Sequence, residues 1–179
     1  MDTEMTTQLY SKDAVRKLLS AVPDPEIPVV SIEELGILRE ININAEQVEV
    51  VITPTYSGCP AMYAIEQDIC GALQQAGITQ FSVRTVLSPA WSSDWITEEG
   101  KDKLRAYGIA PPHAVGSETK AGQPQALRFM RKAVNGSTPV CPHCSSGQTE
   151  LLSEFGSTSC KALYRCLACK EPFDYFKPY

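Results

Sequence analysis

Two pairs of cysteines constrain this chain more than any other feature. Cys141-Pro142-His143-Cys144 and Cys166-Leu167-Ala168-Cys169 are two C-x2-C knuckles separated by residues 145–165. Two such knuckles can set four thiolates in a tetrahedron, the arrangement Zn²⁺ adopts in closed structural sites. Iron in a rubredoxin-like site is the competitor, because four thiolates suit it too. The residues between the knuckles read as a hairpin, with Thr149–Phe155 going out and Lys161–Arg165 returning. A segment of about 40 residues buries too little apolar surface to fold alone, so bound metal would supply its folding energy. Residues 139–179 are therefore read as a β zinc ribbon whose ligands are Cys141, Cys144, Cys166 and Cys169. His143 lies inside the first knuckle, but the cysteines already complete the shell. Cys160 stands apart: along a continuous strand it would lie about 20 Å from the Cys166 sulfur. It is read as a buried hydrophobe, as is Cys70.

The ribbon's charges exclude one common use of such modules. Lys161, Arg165, Lys170 and Lys177 are balanced by Glu150, Glu154, Glu171 and Asp174, whereas phosphate binding wants a basic face. The chain as a whole carries a formal net charge of -5, which argues against general nucleic-acid binding. No stretch approaches the ~18 apolar residues that span a bilayer. Seven cysteines, with no export signal in the polar run Met1–Thr7, point to reduced thiols and a cytoplasmic location. The aromatic tail Phe173, Tyr175, Phe176 and Tyr179 is read as ribbon core or a protein-binding patch.

Upstream, residues 9–110 read as an α/β unit. Ala14, Val15, Leu18, Leu19 and Val22 make an amphipathic helix behind a Ser11 cap. The run Pro23-Asp24-Pro25-Glu26-Ile27-Pro28 ends it and forces extended backbone, so Asp24 and Glu26 sit on a preset loop. That loop is either a solvated connection or a rigid holder of two carboxylates near a site. Ile37, Ile41 and Ile43 alternate with polar residues and turn at Asn44-Ala45-Glu46 into a Val48–Ile52 strand, making a hairpin. Then Met62, Ile65, Ile69, Ala72, Leu73 and Ala76 recur at helical spacing, with Gly77 as the stop. Phe81–Leu87 is the next strand, and strand–helix–strand implies a parallel pair.

Between strand and helix lies Thr53-Pro54-Thr55-Tyr56-Ser57-Gly58-Cys59-Pro60. Pro60 suits the first helical position, which puts Cys59 at or beside the N-cap. Unpaired N–H groups and the positive end of the helix dipole would there favour a thiolate and lower the thiol pKa. The alternative is a small hydrophobe in a turn. Trp91 and Trp95 form either a lid over the core or a docking loop. Thr97 caps a final helix with Glu98 and Glu99 in its first turn and Gly108 beyond its end. Residues 111–138 are a Pro/Gly/Ser-rich linker in which Gln125–Val134 could form a short basic helix. His113 is isolated and is given no role.

Asp24-Pro25-Glu26-Ile27-Pro28-Val29-Val30-Ser31, Glu34-Leu35-Gly36 and Thr53–Pro60 occur in the order seen in the metal–sulfur cluster biosynthesis family, which this stretch resembles. That family includes SufT-like proteins and cytosolic iron–sulfur targeting factors. The resemblance implies a compact α/β domain with Cys59 as its reactive cysteine and Asp24 and Glu26 near that thiol. It also implies handling of iron or a transient iron–sulfur cluster.

Adding the ribbon motifs Glu154-Phe155-Gly156-Ser157-Thr158, Cys160–Cys166 and Glu171–Phe176 makes most of the chain resemble the D components of phenylacetyl-CoA epoxidase systems. What this second resemblance implies is a non-catalytic accessory factor that matures a multicomponent oxygenase. Its partners would be the di-iron oxygenase subunit or the flavin and iron–sulfur reductase, with the iron–sulfur assembly machinery behind them. It leaves room for a homodimer, and no nucleic acid or membrane is involved. A rubredoxin-like electron carrier and a subunit-bridging protein are the alternatives.

Overall fold

The structure is a computed structural model describing residues 10–44, 47–113 and 138–179. Helix α1, Lys12–Leu19, begins where the Ser11 hydroxyl accepts from the Ala14 N–H at 3.1 Å, and it buries Val15 and Leu19. Strands β1 (Leu38–Ile43) and β2 (Val48–Ile52) form the hairpin, antiparallel from Leu38 opposite Ile52 to Ile43 opposite Val48. Helix α2, Ala61–Gln75, carries the chain to β3, Phe81–Thr85, which pairs parallel to β2 from Val48–Phe81 to Ile52–Thr85. Ile65, Ile69 and Leu73 on α2 are fully buried against this sheet side, and each such side chain stabilises by roughly 1.5–3 kcal/mol. Gly77 ends α2 at φ +78, the left-handed conformation a helix terminator needs.

The Glu34-Leu35-Gly36 motif proves to be a structural socket. The Glu34 carboxylate accepts from the Ser31 N–H while the Ser31 hydroxyl accepts from the Glu34 N–H, a reciprocal pair that fixes the turn. The Leu35 carbonyl receives the buried indole N–H of Trp91 at 2.9 Å. Gly36 has φ +69, and a Cβ there would lie 2.6 Å from the Cβ of Trp95. No other residue suits that position. Arg39 stacks on the Trp95 ring, 3.4 Å from its centre. The tryptophans therefore close over the core, with a 3-10 turn at Ser93–Trp95 leading to the Thr97 cap and helix α3, Glu98–Ala106.

Past Gly108 (φ +91), the short strand β4, Ile109–Ala110, leaves the first sheet's company and joins the second. That second sheet has the order β4-β7-β6-β5, with β5 Thr149–Ser153, β6 Lys161–Cys166 and β7 Pro172–Phe176. The β5–β6 hairpin agrees with the sequence reading. Strand β7 was not anticipated, and it accounts for the aromatic tail. Side chains alternate along a strand. Phe173 and Tyr175 accordingly face the ribbon's own small core with Ala110, Cys141 and Cys166. Phe176, 1% exposed, faces the opposite way and joins the main core shared by α1, β1, β2 and α2. Its ring lies 5.8 Å from Trp91, and Tyr179 packs edge-on to the same indole at 6.2 Å. The Tyr179 carbonyl accepts from the Ser93 N–H at 3.2 Å. The ribbon is thus docked on the first unit through its third strand and tail. Residues 125–134, read as a basic helix, and residues 45–46 of the hairpin turn lie outside the described residues.

Candidate functional site

The ribbon centre is built from two near-copies of one turn. The Ser145 N–H bonds the Cys141 carbonyl at 2.9 Å, and the Lys170 N–H bonds the Cys166 carbonyl at 3.0 Å. Ser145 and Lys170 both take a left-handed conformation, with φ of 60 and 68. Each knuckle's first cysteine also donates its own N–H forward, Cys141 to the Ser146 carbonyl and Cys166 to that of Glu171. These turns bring the four sulfurs within 4.8 Å of one another. Cys141 and Cys169 are 3.8 Å apart and Cys144 and Cys166 are 3.5 Å apart. A tetrahedron with Zn–S bonds of about 2.3 Å has edges of about 3.8 Å, so the donor set fits zinc as it stands. The Cys169 N–H points at the Cys166 sulfur and holds that thiol down to about 6, so it is readied as a thiolate. Burial pushes the Cys141 thiol the other way. His143 stays outside the set and its ring packs near Gly108.

Cys59 is placed by a second turn. Its N–H bonds the Tyr56 carbonyl at 3.1 Å, and Pro60 is the N-cap of α2, so the thiol sits one residue before the cap. It is half-buried at the edge of the main core. Here the expected depression of its pKa is overturned: the thiol is pushed up. Burial is the largest cause, the Ala61 N–H pulls the other way, and the nearby acidic groups of Glu26, Cys160 and Asp24 add to the rise. The helix end does favour the thiolate, but desolvation and two carboxylates outweigh it. Near neutral pH Cys59 is a protonated thiol.

The two carboxylates differ in kind. Asp24 is buried, and one of its oxygens accepts from the N–H groups of Glu26 and Ile27, both at 2.8 Å. A backbone bond from the Asp24 N–H to the Val30 carbonyl and a bridge between Pro23 and Ser31 close the loop beneath it. The loop is therefore a rigid holder, with Asp24 as its pin and the half-buried Glu26 as its presented group. Burial raises the Asp24 pKa, and burial together with the Asp24 charge raises that of Glu26.

A folded-state pKa above the unfolded value means that Asp24 contributes stability when protonated, and loses it as pH rises through the folded pKa. Asp24→Asn keeps the acceptor oxygen and removes the buried charge. It should melt at or above the wild-type temperature at pH 7. Thermal scans across pH should show that advantage closing below about pH 4, where an unfolded Asp is protonated.

The charges of Asp24 and Glu26 bear on Cys59 from their loop. The structure keeps the ribbon cysteines apart from them, with Cys141 and Cys166 in the ribbon's own apolar cluster. It also brings in Cys160, which the sequence reading set aside as a hydrophobe. Cys160 is 4% exposed, but its neighbours belong to the first unit's core. The charges of Asp24 and Glu26 bear on it as they do on Cys59. The one available signal was its position directly before β6, after a Gly156-Ser157-Thr158 turn. Cys70, on the outer flank of α2, is only half-buried.

Comparison with known proteins follows the same division. Residues 12–86 match the family described as iron-sulfur cluster assembly protein, and residues 129–177 match the PaaD zinc beta ribbon domain. The D component provisionally assigned to the 1,2-phenylacetyl-CoA epoxidase of Escherichia coli (strain K12) is 46% identical over 160 residues, spanning 89% of this chain and 88% of that protein. An Fe-S protein maturation auxiliary factor of Porphyromonas gingivalis (strain ATCC BAA-308 / W83) is 29% identical over 98 residues, or 54% of this chain and 92% of its own length. Among solved structures, a domain of unknown function, DUF59, from Bacillus anthracis has 26% identity and a TM-score of 0.49, covering 52% of this chain and 90% of that one. Among the described residues no helix is long and apolar enough to cross a membrane.

Proposed function

The chain belongs to the family of 1,2-phenylacetyl-CoA epoxidase D components, and from that premise we propose that it is an accessory maturation factor. It assists loading of iron or an iron–sulfur cluster into the oxygenase subunit or its reductase and catalyses no step of the epoxidation itself. Cys59 is the thiol that handles the cargo, with Glu26 and Asp24 beside it. Cys141, Cys144, Cys166 and Cys169 hold a structural zinc. Residues 9–110 form the working domain and residues 139–179 the ribbon, joined by the linker 111–138.

The observation that carries this reading is the contrast between the two cysteine sites. In the ribbon four sulfurs already stand at tetrahedral spacing, which suits permanent retention. At Cys59 a protonated thiol sits just before α2 and feels two carboxylates from the Pro23–Pro28 loop, all inside the segment that matches the assembly family. A cation there would displace the thiol proton and be held by an incomplete, mixed sulfur and oxygen set. Such a set binds more weakly than the ribbon and can release its cargo.

The test is to produce the epoxidase components with and without this chain and to measure iron and cluster occupancy in each. Occupancy of one component should fall in its absence. Full occupancy of every component without the chain would sink the reading.

A further inference from the structure

Cys160 is a buried nucleophile with no part in the ribbon centre. Its position is fixed from three sides. The Gly156 N–H bonds the Lys161 carbonyl at 2.8 Å, the Lys161 N–H bonds the Thr158 carbonyl at 3.1 Å, and the Lys177 N–H bonds the Cys160 carbonyl at 3.0 Å. Gly156 lets the turn approach closely, since a Cβ there would lie 2.5 Å from the Asp174 carboxylate and 3.3 Å from the Lys161 Cβ. The Ser157 hydroxyl donates to the same carboxylate at 2.9 Å. The Thr158 hydroxyl touches the Cys160 sulfur at 3.0 Å. This whole turn faces the Cys59 turn: the Ser159 hydroxyl meets that of Tyr56, and Cys59, Tyr56 and Cys160 share one apolar cluster. Lys161, 4% exposed, places a buried cation beside Asp24, Glu26 and Cys160, tied to Asp174 at 3.7 Å.

We propose that Cys160 is the second thiol of the Cys59 site, so that the docked ribbon completes a two-sulfur, carboxylate-flanked site for a thiophilic divalent cation such as Fe²⁺. The inference rests on the reading of Cys59 as the cargo thiol and adds to it the donor from the other unit. Two sulfurs with Glu26 make a mixed donor set that Fe²⁺, Co²⁺ and Zn²⁺ all accept. Binding one cation replaces the two S–H bonds with two metal–sulfur bonds and releases two protons to solvent, with no change of oxidation state. Among the described residues only the ribbon set has three or more ligand atoms already within 4.8 Å of one another. The Cys59 site therefore closes by side-chain movement as the ion enters. Both thiols are protonated beforehand, since burial raises each. Asp24, Glu26, Lys161, Tyr56 and Tyr179 are the charged and titratable groups around them, and affinity should rise with pH as the two protons leave more easily.

The experiment is an anaerobic Co²⁺ titration of the full chain with its ribbon filled by zinc, read by sulfur-to-cobalt charge-transfer absorption. The wild type should take up one Co²⁺ with the intensity of two thiolates. Cys59→Ala and Cys160→Ala should each weaken binding by about tenfold or more, with ribbon zinc and thermal unfolding retained. Wild-type binding with one-thiolate intensity overturns the proposal without any variant. Undiminished binding by a folded Cys160→Ala, alongside loss in Cys59→Ala, overturns it while leaving Cys59 as the cargo thiol. Absence of Co²⁺ binding by the wild type also overturns it, and the client-loading assay then decides the function independently.

Discussion

Cys166→Ser should strip the metal from the ribbon and unfold β5, β6 and β7. Cys166 is fully buried at the end of β6, and its sulfur is the one held nearest to a thiolate by the Cys169 N–H. Serine keeps the size but not the metal–sulfur bond. The ribbon's own core is five buried residues, two of them ligands, so little within the ribbon holds it once the shell opens. The damage should then cross into the first unit. Phe176 would leave the main core and uncover Trp91, and Ile109–Ala110 would lose its partner β7. Withdrawing one fully buried phenylalanine costs roughly 1.5–3 kcal/mol. For a unit of this size each kcal/mol lowers Tm by about 4–8 °C. Calorimetry with zinc analysis should therefore show metal-free protein whose remaining transition lies several degrees to about 20 °C lower. A first unit that keeps its full melting temperature would mean that the docked tail adds nothing to its stability.

That coupling is what the sequence could not display. Much of what neighbours in the chain set was legible: the Ser11 and Thr97 caps, Gly77 and Gly108 at helix ends, the β1–β2 hairpin and each C-x2-C knuckle depend on residues a few positions apart. Cys59 beside the start of a helix was legible as well, although Pro60 is the N-cap and not the first helical residue. The titration of Cys59 was not, because burial against the main core pushes the thiol up, and Glu26 and Asp24, from a loop 33 or more residues earlier, and Cys160, from the ribbon, add to the rise. The same reason hid the fate of the aromatic tail. Alternation alone separates Phe173 and Tyr175 from Phe176, but it cannot say that the second face meets Trp91. Cys160 was set aside on its distance from the ribbon ion, which β6 as a continuous strand supports. That distance bears on one site only, and the residue sits against another.

Cys59→Ser should separate folding from function most sharply. The side chain lies at the edge of the core, and the main burial comes from Ile52, Ile65, Ile69 and Leu73, all fully buried and untouched by the change. Serine can still accept the Ala61 N–H that the sulfur accepts. Stability should shift by no more than about 1 kcal/mol, and ribbon zinc should be unchanged, since none of its ligands is involved. Client iron occupancy, in contrast, should fall to the level reached without the chain. A bound cation can displace the thiol proton to solvent near neutral pH, whereas a hydroxyl with no strong base to take its proton remains protonated and binds iron poorly. Glu26→Gln should give a partial loss, because it removes an oxygen donor and a charge but leaves the sulfur. Two readings of the chain then part. A protein that merely bridges subunits would support full loading with Cys59→Ser, so long as it still co-purified with its partners. A cargo thiol requires that the variant co-purify and the client stay empty. The decisive measurement is iron per client in the co-purified complex, and full loading there would remove Cys59 from the mechanism.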